Sequence, residues 1–157
     1  GAIAAELGLK LAARGHDVIL LERADRLGGK IGLAAALPAR AELAALADWR
    51  AGECTRRGVD VRRGVTATAD DVLALAPDAV VVATGGRATV HGTSKFHPMP
   101  VPGADQVFVV DHETATAAPA RLGRRVVVLD AVGHIEAVGL GELLAVTGVE
   151  VTVVTPL

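Results

Sequence analysis

The chain has 157 residues, 51 % of them hydrophobic and 22 % charged, with a net charge of −2. That length suits one domain or a piece of a larger protein, and the apolar share excludes a disordered chain. The near-neutral balance gives no electrostatic case for nucleic acid or a membrane surface, and one cysteine, Cys54, excludes an intramolecular disulfide and a Cys-rich zinc or iron–sulfur site within this chain. No uncharged apolar run is long enough to span a bilayer and no signal peptide opens the chain, so a cytoplasmic location is expected. Only 2 % of residues are aromatic, so the core must be Ala, Val and Leu, which lets helices lie close on a sheet.

Ile3, Leu7 and Leu11 recur at helical spacing and predict a helix over 2–14 that Gly15 stops. Asp17 to Glu22 reads as a strand. Its centre, Val18-Ile19-Leu20-Leu21, is apolar on both faces, which suits a parallel strand covered by helices. Asp25 to Gly32 is a polar, Gly-rich loop, and a second helix is predicted over 40–57 with Leu43, Leu46 and Ala47 on one face. Val59-Asp60-Val61 is a short strand. Thr68 and Asp71 have the spacing of a capping box at the start of a short helix. Ala79 to Thr84 reads as a strand ending in Gly85-Gly86. Pro98, Pro100 and Pro102 make 91–103 a loop or crossing segment. Gln106 to Val110 is expected as a strand, with Asp111 capping a short helix after it. Val126 to Leu129 is a fully apolar strand, 134–147 a helix closed by Gly148, and 149–154 a last strand.

Strands alternating with helices imply an α/β, Rossmann-like parallel sheet with helices on both faces. A helix–Gly–strand unit occurs twice, at Leu11-Ala12-Ala13-Arg14-Gly15-His16-Asp17-Val18 and at Leu144-Ala145-Val146-Thr147-Gly148-Val149-Glu150-Val151. Two such units predict two related half-folds, the second incomplete. Gly1 opens directly into a helix and Thr155-Pro156-Leu157 follows directly on a strand, so the chain is expected to be part of a longer protein.

A dinucleotide fingerprint, G-x-G-x-x-G/A, joins a strand to a helix. Gly1 fits its second glycine, where backbone must approach a pyrophosphate. Ala4 fits its third position, which must be small for helix–strand contact. Glu22 ends the next strand at about the 20-residue spacing of the acid that accepts from a ribose 2′-OH. The alternative for Glu22 is a solvated strand-end acid. Leu27-Gly28-Gly29-Lys30 is either a flexible turn or a source of N–H groups and one cation near phosphates. Ala83-Thr84-Gly85-Gly86 is either a plain strand exit or a backbone ledge at the sheet edge where open α/β folds bind ligands.

The order Gly1-Ala2-Ile3-Ala4-Ala5-Glu6, then Glu22 to Lys30, then Val80-Val81-Val82-Ala83-Thr84-Gly85, resembles flavoprotein oxidoreductases with two dinucleotide domains. More narrowly, Asp130-Ala131-Val132-Gly133-His134-Ile135-Glu136 is similar to the C-terminal region of old yellow enzyme-like iron–sulfur flavoproteins. That group includes dienoyl-CoA reductases, trimethylamine, dimethylamine and histamine dehydrogenases, and oxidoreductases of the mycofactocin system. The resemblance covers essentially the whole chain. It implies residues 1–87 as a first, FAD- or ADP-binding half lacking its first strand, 88–124 as a crossing segment, and 125–157 as the start of an NAD(P)-type half. It implies that Gly1 and Ala4 face the pyrophosphate and Glu22 the adenosine ribose. Arg23, Gly28, Gly29 and Lys30 would lie beside the nucleotide, and Ala83, Thr84 and Gly85 along its other edge. FMN, a 4Fe-4S cluster and the TIM barrel holding them would belong to a part of the intact protein outside this chain. A small-molecule redox substrate and a homo-oligomer of the intact protein are implied as well, and this chain is not expected to be active alone. The other class of reading is an adenine-nucleotide module without redox work, in a structural or regulatory role.

The second half departs from a good nicotinamide site. Asp130, Val132 and Ile135 stand at the three fingerprint positions, and Thr155-Pro156 follows the next strand where a ribose acid is expected. A carboxylate repels pyrophosphate and a branched side chain blocks backbone approach, so NAD(P)H binding there is doubtful. His134 and Glu136 would point to opposite sides of a helix that began at 134, and His134 reads as a helix-start residue. Cys54 reads as a plain helix cysteine, although Arg56 and Arg57 could favour its thiolate. A disulfide reductase would need a cysteine pair. His91, His97 and His112 read as loop histidines, Arg56-Arg57 and Arg62-Arg63 as a solvated face, and Trp49 as packing for its helix.

Overall fold

The computed structural model describes residues 1–90, 92–93 and 98–155. Its elements run α1 (Ala2–Ala12), β1 (Ile19–Glu22), α2 (Lys30–Ala35), α3 (Glu42–Arg56), β2 (Asp60–Arg63) and α4 (Ala69–Leu73). Further along the chain come α5 (His112–Ala117), a 3-10 turn at Pro119–Arg121, β3 (Arg125–Leu129), α6 (Ile135–Val146) and β4 (Glu150–Val154). Two compact units result: Gly1–Gly32 with Glu42–Gly85, and Leu33–Ala41 with Gly86–Leu157.

The first unit is built on a parallel pair. β1 pairs with β2 in the register Ile19–Asp60 to Glu22–Arg63. Parallel strands need a crossover, and α3 supplies it between them. Gly15, at φ +84°, ends α1 because the left-handed region carries little penalty for glycine. Ala5, Leu20, Leu27, Cys54 and Val59 form the core, with Ala4, Leu9, Ala12, Val18, Ala51 and Val61 against it. Gly8 is buried in α1. A Cβ there would already touch Val18, Leu20 and Val59 at 3.7–3.9 Å, so small residues set the helix-to-sheet distance. Arg50 Nε donates to Glu6 Oε2 at 3.0 Å and ties α3 to α1.

The second unit repeats the plan. β3 and β4 pair in parallel from Arg125–Glu150 to Leu129–Val154, with α6 between them in sequence. Its core is Ala115, Val128, Ala137, Leu140 and the fully buried Leu144. α6 is apolar on most of its circumference, and glycines let it approach its neighbours. A Cβ on Gly141 would lie 3.1 Å from Val153 Cγ2, and one on Gly139 2.8 Å from Leu37 Cδ1.

The α/β class with parallel strands and flanking helices is the one expected. The predicted capping box is present: the Asp71 N–H donates to Thr68 Oγ1 at 3.2 Å, and the Thr68 N–H donates to Asp71 Oδ2 at 2.8 Å. Asp111 caps α5 through the Thr114 N–H at 2.9 Å. Two expected strands do not form. Ala79 to Thr84 has no ladder among the described residues, and Val80, Val81 and Val82 are 55–80 % exposed. Gln106 to Val110 is a series of turns, with Val107 and Phe108 exposed. β-branched and apolar runs favour extended backbone, but a strand exists only when a partner accepts and donates along it. The Gly-rich loop is also shorter than expected, because Lys30 already begins α2. His91 and His97 lie outside the described residues, as does Pro156.

Candidate nucleotide site

The start of α1 and the end of β1 meet in the first unit. Gly1 is the N-cap residue of α1; its carbonyl accepts from the Ala5 N–H at 3.2 Å, and no side chain caps the first turn. A helix that leaves its first N–H groups without a side-chain cap presents partial positive charge. Nothing in this chain lies within 4 Å of a Cβ built on Gly1.

Glu22 closes β1 with its side chain 15 % exposed. The Gly1 nitrogen donates to its Oε2 at 2.8 Å and the Ala24 N–H to its Oε1 at 3.1 Å. Burial pushes the Glu22 carboxyl up, but the terminal ammonium at Gly1, through its hydrogen bond and its charge, and the Ala24 N–H outweigh it and hold the pKa below the usual carboxylate range in this chain. An ionised carboxylate has about four lone-pair positions, so it retains acceptor capacity for a hydroxyl.

The Gly28-Gly29 turn comes back over this point. Gly29, at φ +57°, carries its α-carbon so close to Gly1 that a Cβ would stand 3.1 Å from Gly1 Cα. Gly28, at φ +122°, rests on Ala47, whose Cβ would be 3.0 Å from a Cβ there. Arg26 reaches the same helix through Asp48 at 2.7 Å. The fold thus brings Gly1, Glu22, Gly28 and Gly29 together, with Ala4 packed against the core behind them. Lys30 follows as the first residue of α2, and Arg23 is exposed beside Glu22. Among the described residues no backbone hydrogen bond joins Ala83, Thr84 or Gly85 to this cluster. Ala47 and the Ala24 N–H are contributors that pattern reading missed. A small residue in mid-helix and a loop amide carry no sequence signal of their own.

The turn after β3 in the second unit is built differently. Asp130 is 7 % exposed, and its Oδ1 accepts the Val132 N–H at 3.0 Å and the Gly133 N–H at 2.8 Å. Thr155 Oγ1 donates to Oδ2 at 3.3 Å. The Val132 N–H is the chief cause, with Gly133, Thr155 and His134 contributing, that holds the Asp130 carboxyl below its ordinary value. Because α6 begins at Ile135, His134 sits in its N-cap position and escapes the helical spacing that would separate it from Glu136; His134 Nδ1 and Glu136 Oε2 are 3.9 Å apart on the surface.

Cys54 is fully buried, with its Sγ 3.6 Å from the Ala5 carbonyl. Burial first, then the nearby Glu53 and Glu6, raise its pKa, so the arginines do not make a thiolate of it. They are engaged elsewhere: Arg56 and Arg57 both pair with Glu53, and Arg62 with Asp60. Trp49 is 55 % exposed. Among the described residues no group of three metal-ligating side chains forms, and no helix is long and apolar enough to cross a membrane.

No family profile matches the chain. It is 44 % identical over 82 residues to an NADH oxidase of Thermoanaerobacter brockii, covering 52 % of this chain and 13 % of that protein. It is 32 % identical over 143 residues to a probable N-methylproline demethylase of Rhizobium meliloti, covering 91 % of this chain and 20 % of that one. The solved 6-hydroxypseudooxynicotine amine oxidase of Pseudomonas geniculata N1 superimposes with a TM-score of 0.90 at 29 % identity, over 99 % of this chain and 23 % of the other. The chain therefore spans a fifth or less of the length of the two relatives named. It is a homologue of one region of the old yellow enzyme-like iron–sulfur flavoprotein oxidoreductases, the group its motifs resemble.

Proposed function

We propose that residues 1–87 are the FAD- or ADP-binding half of a flavin-dependent oxidoreductase of this group. The observation that carries the reading is the meeting of Gly1, Glu22, Gly28 and Gly29 at the end of β1. The side chain-free face of Gly1 and the uncapped start of α1 suit a pyrophosphate, and Glu22 suits the adenosine ribose. Ala4 supports the helix start from behind, and Arg23 and Lys30 lie next to these residues in sequence as cations for phosphates. Ala83, Thr84 and Gly85 are proposed for the far edge of the nucleotide. In this reading 88–124 is the crossing segment and 125–157 opens a second half of NAD(P)-binding type.

The chain's own residues bind and orient; electron transfer is the chemistry of the flavin when bound. FMN, the 4Fe-4S cluster and the small-molecule redox substrate are proposed for a TIM-barrel part of the intact protein, which we expect to be a homo-oligomer. The experiment is release and identification of nucleotide from the full-length protein, with Glu22→Gln alongside. FAD or ADP released from wild type, and binding about ten- to a hundredfold weaker in E22Q, agree with the loss of one charge-assisted hydrogen bond of about 1.5–3 kcal/mol. A full-length protein that releases no nucleotide and binds none sinks the assignment. A second reading, an adenine-nucleotide module without redox work, draws on the Asp130 turn of the second half. It predicts ADP but no flavin absorbance.

A further inference from the structure

The turn between β3 and α6 occupies the place where a dinucleotide-binding half presents backbone N–H groups to a diphosphate. Here two of those groups, from Val132 and Gly133, already donate to one carboxylate oxygen of Asp130. Gly133 at φ +71° lets the two N–H groups converge. α6 has no side-chain cap from His134, and Glu136 is the acid of its first turn; the Asp130 carboxylate takes the N–H groups of the turn just before it. The carboxylate is not loosely held. It is 7 % exposed, it accepts from Thr155 through its other oxygen, and its own backbone N–H donates to the Val154 carbonyl at 2.8 Å.

We propose that this turn is an anion nest which the chain fills with its own Asp130 carboxylate, so that the second half is closed to the diphosphate of a dinucleotide and is held in its folded form without one. A diphosphate would have to displace a carboxylate bonded to three donors, or sit beside it against like-charge repulsion in a partly dry turn. Val132 and Ile135, at the positions where a nucleotide site carries small residues, line the same turn. This closure involves residues of the second half alone. It is independent of whether Glu22 and Gly29 hold a nucleotide in the first.

The test replaces the internal anion with an external one. Hydrogen–deuterium exchange of the segment 130–136 is followed in the full-length protein, with inorganic pyrophosphate as the probe. Wild type is expected to show slow exchange at Val132 and Gly133 that pyrophosphate does not alter. Asp130→Gly is expected to lose that protection at least tenfold and to regain it saturably with pyrophosphate. Asp130→Asn, whose amide oxygen still accepts both N–H groups, is expected to stay protected and insensitive to the anion. Should D130G fail to fold, Asp130→Ala removes the acceptor without adding glycine's freedom and answers the same question. Protection of this segment by pyrophosphate in wild type overturns the closure. So does a vacated nest that keeps wild-type protection, or one that loses it and is not restored by the anion. Loss of nucleotide binding in the first half would leave all these outcomes unchanged.

Discussion

Substituting Gly29 by alanine probes the point where the glycine turn meets the start of α1. The native φ is +57°, a left-handed conformation that costs an L-residue with a Cβ about 1–2 kcal/mol. The new Cβ would also stand 3.1 Å from Gly1 Cα, against backbone that has no rotamer to give way. Forced contacts of that kind cost about 1–3 kcal/mol, so the sum is about 2–5 kcal/mol if the turn holds its place. If the turn instead moves off Gly1, the strain disappears and the nucleotide site opens. Affinity then falls about tenfold for each 1.4 kcal/mol of binding lost. Gly15→Ala is the control. Gly15 sits at φ +84° in the same unit with nothing within 4 Å of its Cβ, so it carries the conformational cost alone. The assay is denaturant unfolding of G29A and G15A in parallel with nucleotide titration of each. G29A should be the less stable, the weaker binder, or both. Two variants equal in stability that both bind like wild type would refute the close approach of Gly29 to Gly1.

Further outcomes follow from the packing and the charges. Leu144 is fully buried in the second core, and Leu144→Ala should cost about 2–5 kcal/mol in an unfolding titration. Cys54 should resist a thiol reagent in the native protein and react only as the first unit unfolds, because burial and the neighbouring acids keep it a thiol. Cys54→Ala should cost about 1 kcal/mol, as the loss of one buried heavy atom. Asp130 and Asp111 both have folded pKa values below their ordinary 3.8. Groups depressed in the fold contribute in full above the unfolded value and lose that contribution as pH falls through the folded one. Melting temperature should therefore be insensitive to these two carboxyls near neutral pH and fall below about pH 4. The acid-side fall should be shallower in Asp130→Asn.

The Glu22 and Asp130 carboxylates show one functional group in two settings. Glu22 is the last residue of β1, Asp130 the first after β3, and both accept backbone N–H groups. Glu22 is a residue longer in reach and stands beside a helix start whose N–H groups have no side-chain partner. Asp130 is short enough to turn back into its own loop and fill it. The distinction rests on one methylene and on the position of Gly133, which brings the donors to the shorter side chain.

Local features were legible in the order of residues because their causes are local. The helix starting after Gly1, its stop at Gly15, the Thr68–Asp71 box and the Asp111 cap depend on neighbours within a turn or two, and the apolar runs at 17–22 and 126–129 carry strand propensity of their own. The strand that ends in Glu22 after the helix that follows Gly1 was legible too, since the spacing of a fingerprint encodes one strand and one helix; that Glu22 turns back to Gly1 was not. What the tertiary structure alone decided is whatever needs a partner far away in sequence. Val80 to Val82 and Val107-Phe108 have strand composition, yet none of the described residues forms a ladder with them, and hydrogen bonds cannot be supplied by composition. The seat of Gly28 on Ala47, the approach of Gly29 to Gly1 and the bond from Thr155 to Asp130 join residues that sequence separates by 19 to 28 positions. Pattern could place a carboxylate at 130 and foresee repulsion. Only the folded turn shows that carboxylate bonded to its own backbone, because the direction of a side chain is settled by the donors that surround it.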